Sequence, residues 1–207
     1  MLDNNDLVVI ELLKNTLVPG NVLVDVGANY GEYTNFFKNI LKGTGKIYCI
    51  ELDPETFNHL ETKFKQDKNI ILVNKAISDK NSIIDYYKGN DAWTNNIIGH
   101  DTSYNKNNKK GTIESITLDE LLKDEKHIDF IKIDVEGADL LVLSGMTETI
   151  KKTKAFLLEC HFDNEWNTIK NILITEHKLN CYDLIKKQKI TLDSERAYQC
   201  LCVGENN

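Results

Sequence analysis

Val22-Leu23-Val24-Asp25-Val26-Gly27-Ala28-Asn29-Tyr30-Gly31 reads as a strand running into a glycine turn. Val22 to Val26 is short, apolar apart from Asp25 and rich in β-branched valine, the pattern of a buried strand. Beyond the turn, Glu32 to Lys42 carries Tyr33, Phe36, Phe37, Ile40 and Leu41 at helical spacing. Glycine lets a ligand approach the backbone closely, and the amides of the next helix start point at whatever binds there. A plain strand-to-helix turn would account for the glycines alone, and the third glycine of a dinucleotide fingerprint is missing. Two acidic residues favour a nucleotide-like cofactor. Asp25 sits inside an apolar strand, where a carboxylate is costly unless paired. Glu51 ends the next strand, Lys46 to Ile50, where a carboxylate can accept two ribose hydroxyls.

Three segments carry a family resemblance. Asp25 to Thr34 (D-V-G-A-N-Y-G-E-Y-T) resembles the first motif of FkbM-family methyltransferases, which use S-adenosylmethionine. Asp129-Phe130-Ile131-Lys132-Ile133-Asp134-Val135-Glu136-Gly137-Ala138 and Leu157-Leu158-Glu159-Cys160-His161 match later segments of the same family, in the same order. The resemblance implies an α/β class I methyltransferase fold, a Rossmann-like three-layer sandwich. Its sheet would be mostly parallel and seven-stranded, with an antiparallel last strand between the fifth and sixth. It also implies that Asp25, Gly27, Ala28, Asn29 and Gly31 surround the amino-acid end and ribose of the cofactor. Glu51 would take the ribose hydroxyls, Leu52 and Asp53 lie near the ribose and adenine, and Ala76 and Ile77 line the adenine.

The bulk properties set limits. The 207 residues, with 41% hydrophobic and 28% charged, suit one globular domain with a sizeable core. Within it, 1–20 reads as an N-terminal helix, 22–161 as the cofactor-binding core, and 162–207 as a helix and two strands. A net charge of −7 argues against nucleic acid as a partner. Arg196, the single arginine, leaves few bidentate phosphate forks. Cys49, Cys160, Cys181, Cys200 and Cys202 are odd in number and lack a C-x-x-C pair, which suggests buried thiols in a reducing, cytoplasmic setting. Met1 to Asn15 lacks the pattern of a signal peptide, and no apolar run is long enough to span a membrane.

Alternating strands and helices imply a parallel sheet covered on both faces, with ligands outside the carboxyl ends of its strands. Asp25, Glu51, Ala76 and Asp134 all fall on that edge. The polar stretch Gly89 to Gly111 is long enough to be functional or disordered. It carries Trp93, Asn95, Asn96 and His100, with Ile97 and Ile98 as apolar breaks. Thr117-x-x-Glu120 is a capping box.

Methyl transfer needs a positioned acceptor oxygen and a group to take its proton. Asp134, Glu136, Glu159 and His161 are the catalytic candidates, at the ends of the fourth and fifth strands. Asp134 and Glu159 occupy places similar to the metal ligands of catechol-type methyltransferases, so a divalent metal there is a further option. Glu136 could instead cap the following helix, and Lys132 reads as the ion-pair partner of Asp134. The expectation is an S-adenosylmethionine-dependent O-methyltransferase acting on a small hydroxylated molecule or a glycan. The alternatives are a nicotinamide-dependent oxidoreductase and a non-catalytic relative that keeps the fold. Oligomeric state is not legible.

Overall fold

A computed structural model describes residues 4–87, 96–97 and 109–204. The chain opens with α1 (Asn4–Thr16), β1 (Val22–Val26), α2 (Glu32–Leu41), β2 (Lys46–Ile50), α3 (Pro54–Phe64) and β3 (Ile70–Val73). Short strands follow: β4 (Ala76–Ile77), β5 (Ser82–Tyr87), β6 (Asn96–Ile97) and β7 (Lys109–Ile116). The second half holds α4 (Leu118–Leu121), β8 (Ile128–Ile133), α5 (Asp139–Ser144), β9 (Thr153–Glu159), α6 (Trp166–Lys170), β10 (Asn180–Asp183), β11 (Gln188–Lys189) and β12 (Gln199–Val203).

The main sheet runs β11-β10-β12-β9-β8-β1-β2-β3. From β9 to β3 the pairing is parallel. β12 is antiparallel to both β9 and β10, in the place expected for the last strand. The sheet has eight strands rather than the expected seven. The extra one is β11, which the Asp183 side chain helps create by accepting from the N–H groups of Ile185 and Lys186 and turning the chain back. Two residues are too few to show a strand period in sequence.

Side chains alternate across the sheet, so each strand feeds two cores. Val22, Val24, Val26, Ile131 and Ile133 pack with Leu118, Val142, Leu143, Trp166 and Leu173 on one face. Leu23, Ile47, Phe130 and Leu157 pack with Leu13, Phe37, Leu60 and Phe64 on the other. These are the two outer helical layers. Parity also places Asp25 on the Leu23 face, beneath α2.

A second sheet, ordered β4-β7-β5-β6, stands apart from the first. It replaces the long loop reading in part: β6 and the start of β7 lie inside the stretch 89–111, while Trp93, Asn95, Ile98 and His100 fall outside the described residues. Two helices start later than their sequence suggests. The one expected from Gly137 begins at Asp139, because Glu136 and Gly137 are left-handed, with φ of 51° and 96°. The one expected over 164–177 begins at Trp166 and passes into a π-helical segment, Asn171–Glu176.

Candidate active site

The chain runs outward through β1, β2 and β3, then returns to lay β8 on the other side of β1. Strand order reverses there, the place where such sheets bind ligands. A cavity opens at this point, lined by Gly27, Asn29, Glu51, Leu52, Ala76, Ile77, Ile97, Asp134 and Glu136 among others.

The glycine turn shapes its floor. Gly27 is left-handed, and a Cβ there would lie 1.8 Å from the Asp134 carbonyl oxygen. The N–H groups of Gly27 and Ala28 donate to Ile50 O. This fastens the turn to β2, while Asp134 N–H donates to Val26 O and fastens it to β8. Asn29 is also left-handed, and its N–H donates to Glu51 Oε2 at 2.9 Å. Asp53 N–H donates to Glu51 Oε1 at 2.8 Å. The Glu51 carboxylate is thus clamped by two backbone amides and keeps a free lone pair on each oxygen for an incoming hydroxyl. Burial pushes its carboxyl above the usual range, against the pull of those amides. Among the described residues, Asn29 Oδ1 and Asp134 Oδ1 are buried and accept no hydrogen bond, so the cavity presents unfilled acceptors. Polar acceptors over a backbone cradle at the switch point, with apolar Ile77 and Ile97 opposite, fit a cofactor of nucleoside type.

Four expected cofactor residues do not line the cavity. Asp25 is fully buried, its Oδ2 accepting from Thr34 Oγ1 at 2.6 Å, and burial pushes its carboxyl up. Ala28 packs into the core under α2. Gly31 is left-handed, with Leu60 and Phe64 where a Cβ would go, so it serves helix packing. Asp53 caps α3, accepting from Thr56 N–H and Oγ1.

The catalytic candidates converge at the β8 and β9 ends. Lys132 Nζ donates to Asp134 Oδ2 at 2.9 Å and to Gly27 O at 3.2 Å, the ion pair expected from sequence. His161 Nε2 lies 3.7 Å from both Asp134 Oδ1 and Glu136 Oε2. Its Nδ1 lies 3.5 Å from Asp139 Oδ2, which also accepts the His161 backbone N–H. Burial opposes a charge on this ring, but Asp139, Glu136 and Asp134 outweigh it and push His161 up to about 9. Burial likewise pushes the Glu136 carboxyl up to about 7. Burial and Asp134 push Glu159 to about 7.

The expected metal pair, Asp134 and Glu159, is not the set that gathers. Glu159 Oε1 accepts from Gln199 Nε2. Among the described residues, Asp134, Glu136 and His161 bring ligand atoms within 4.8 Å of one another. A cation there would have to displace the His161 proton.

Sequence reasoning missed several contributors. Asp139 belongs to none of the motifs read from the sequence, and only the fold turns it to His161. Asn74 Nδ2 donates to the carbonyls of Glu51 and Leu52 and fixes that loop. The Tyr198 ring packs edge-on to His161, centroids 5.9 Å apart, from a segment with no motif. Ile97, buried, brings the second sheet to the cavity wall.

Comparison with known proteins agrees. The Methyltransferase FkbM domain matches residues 25–181. Hexuronic acid methyltransferase AglP of Haloferax volcanii is 26% identical over 175 residues, covering 83% of this chain and 69% of that protein. The 2-O-methyltransferase NoeI of Sinorhizobium fredii is 28% identical over 155 residues, covering 68% of this chain and 63% of that one. The crystal structure of Methyltransferase FkbM from Methylobacillus flagellatus superposes with a TM-score of 0.59 at 17% identity. It covers 90% of this chain, which spans 44% of that longer one. With two motifs meeting at Gly27 and Asp134 and a match over most of its length, the chain belongs to the FkbM family of S-adenosylmethionine-dependent methyltransferases.

Proposed function

We propose that this protein methylates a hydroxyl oxygen of a sugar or sugar-derived acceptor, with Glu136 as the general base. The observation that carries the base assignment is the place of Glu136, on the cavity wall and 3.7 Å from His161 Nε2. Bound S-adenosylmethionine supplies an electrophilic methyl on a sulfonium.

Gly27, Asn29, Glu51, Leu52, Ala76 and Ile77 would hold that cofactor. Glu51 receives the ribose hydroxyls on the lone pairs its backbone clamps leave free. Gly27 places the turn backbone at the amino-acid end, its missing side chain letting β1 and β8 meet there. Glu136 takes the acceptor proton as the oxygen attacks, and a carboxyl near 7 is matched to a neutral working pH. His161, charged and held by Asp139, keeps Glu136 and Asp134 oriented. Lys132 neutralises Asp134 from below.

The acceptor class is supported by the relatives: one is named for hexuronic acid and the other for transfer to a 2-oxygen. The net charge of −7 supports a non-nucleic-acid acceptor. Five free thiols support a reducing, cytoplasmic location, and among the described residues no helix is long and apolar enough to cross a membrane.

The test is incubation with S-adenosylmethionine and a panel of uronic acids, neutral hexoses and their glycosides, reading S-adenosylhomocysteine release and O-methyl product by mass spectrometry. An O-methylated sugar is expected, with Glu136→Gln slowed ~10²- to 10⁴-fold and cofactor affinity kept. Full activity of Glu136→Gln, or no sugar methylated by a cofactor-binding protein, would contradict the proposal.

A further inference from the structure

Cys181 on β10 and Cys202 on β12 face each other across the strand pair, with Sγ atoms 2.7 Å apart. Cys200, two residues back on the same side of β12, lies 3.4 Å from Cys202, sulfur to sulfur. All three are buried, and their sulfurs fall within 4.8 Å of one another. None belongs to the cavity described above.

We propose that Cys181 and Cys202 form a modification site, closed by a peroxide to a reversible disulfide, with Cys200 as the adjoining third thiol.

The backbone is already in place. Leu184 N–H donates to Gln199 O, so those two residues form a hydrogen-bonded pair. Pairs alternate along an antiparallel ladder, which makes Cys181 and Cys202 a non-hydrogen-bonded pair with Cα atoms ~4.5 Å apart. That lies inside the ~4.4–6.8 Å a disulfide spans.

Charge separates this from a thiolate metal site. The three sulfurs share their core with Trp166, Ile169, Leu173 and Ile190. Three thiolates around a soft cation would leave net negative charge among apolar side chains, whereas a disulfide leaves none.

Reactivity favours the same pair. The neighbouring Cys200 and Cys202 thiols hold Cys181 below the ordinary thiol range, while burial pushes Cys49 and Cys160 above it. Thiolates are the nucleophiles. The site also lies one short strand from the sheet edge: β10 is covered by the two exposed residues of β11. Edge elements of this kind open locally more often than central strands.

The chemistry balances with peroxide as oxidant. The Cys181 thiolate attacks one peroxide oxygen, the O–O bond breaks, and the departing oxygen leaves as water after taking a proton. This gives a sulfenic acid on Cys181. The Cys202 sulfur then attacks that sulfur, the S–S bond forms, the S–O bond breaks, and the hydroxyl leaves as water with the Cys202 proton. Two electrons pass from the sulfurs to the peroxide. The finished link ties β10 to the strand whose Gln199 holds Glu159.

The experiment uses the whole protein, reduced and freed of metal by a chelator, then treated with a few equivalents of hydrogen peroxide. Thiols are alkylated under denaturing conditions, and peptides are mapped without reductant, with fragmentation to separate Cys200 from Cys202. A Cys181–Cys202 link that dithiothreitol reverses is expected, with the oxidised protein melting roughly 5–10 °C higher. Cys200→Ser should keep the link and Cys202→Ser should lose it; the wild-type map decides even if a variant fails to fold. The proposal is overturned if the thiols stay free, or if the link goes to Cys49, Cys160 or a second chain. It is also overturned if the purified protein, assayed before chelation, holds stoichiometric zinc or copper that protects the three thiols, which would assign a thiolate metal site instead.

Discussion

The Gly27 backbone lies so close to Asp134 that a Cβ on Gly27 would come within 1.8 Å of the Asp134 carbonyl oxygen. The first motif and the middle motif, more than a hundred residues apart, therefore meet backbone to backbone. Gly27→Ala should force β1 and β8 apart at their ends. We expect a loss of about 2 kcal/mol or more of stability, from strain at positive φ and the clash together, and no measurable S-adenosylhomocysteine binding. Urea unfolding and calorimetry check both. Normal stability would show that the two turns are free to separate.

Glu51 accepts from Asn29 and Asp53 N–H groups through different oxygens. Glu51→Gln keeps the size of the side chain and removes the charge. Charge-assisted hydrogen bonds of this kind are worth ~1.5–3 kcal/mol, so S-adenosylhomocysteine should bind about 10- to 100-fold more weakly. An unchanged Kd would remove Glu51 from the ribose site.

The acidic cluster and His161 should make stability fall as pH rises from about 4.5 to 9. Cys181, held at about 5, contributes in the opposite direction, and measuring in the Cys181→Ser background removes that contribution. Glu136 and Glu159 titrate near 7 when folded against an ordinary 4.5, so the native state binds more protons between those values and loses stability as pH climbs through them. His161 moves from 6.5 to about 9, so its contribution is complete below 6.5 and is lost as pH passes 9. Unfolding free energies across this range should decline. Glu159→Gln should flatten the lower part and His161→Asn the upper part. A curve that rises between pH 5 and 9 would contradict these assignments.

The strand–turn–helix from Val22 to Leu41 and the convergence of Glu51, Ala76 and Asp134 on one cavity were legible because each rests on local pattern plus one topological rule, although Ala76 reaches it from the second sheet. The Lys132–Asp134 pair was legible too, since residues two apart on a strand share a side. Asp25 was misplaced for the same reason read incompletely: strand alternation puts it with Leu23, facing Thr34 and away from the cavity. The second sheet was hidden because β5 and β7 pair residues up to 33 apart across a polar stretch. Tyr198 and Gln199 were hidden because only the antiparallel insertion of β12 beside β9 brings them to His161 and Glu159.

Asp139 acts through His161. Asp139→Asn removes the carboxylate 3.5 Å from Nδ1 while leaving a side chain that can still accept the backbone N–H. The His161 pKa should drop by at least ~1 unit, read by NMR titration of the ring. Glu136, facing a less charged ring, should titrate higher, moving the acidic limb of the pH–rate profile upward. An unmoved ring titration would leave Asp139 a purely structural residue.

The most direct test of the central claim is calorimetric titration of the purified protein with S-adenosylhomocysteine, then with NAD under the same conditions. The cavity at Gly27, Asn29 and Glu51 should take S-adenosylhomocysteine with micromolar affinity and show no heat with NAD. Binding of NAD alone, or of neither, would mean that the glycine turn serves another ligand and that the proposed methyl transfer does not occur at this site.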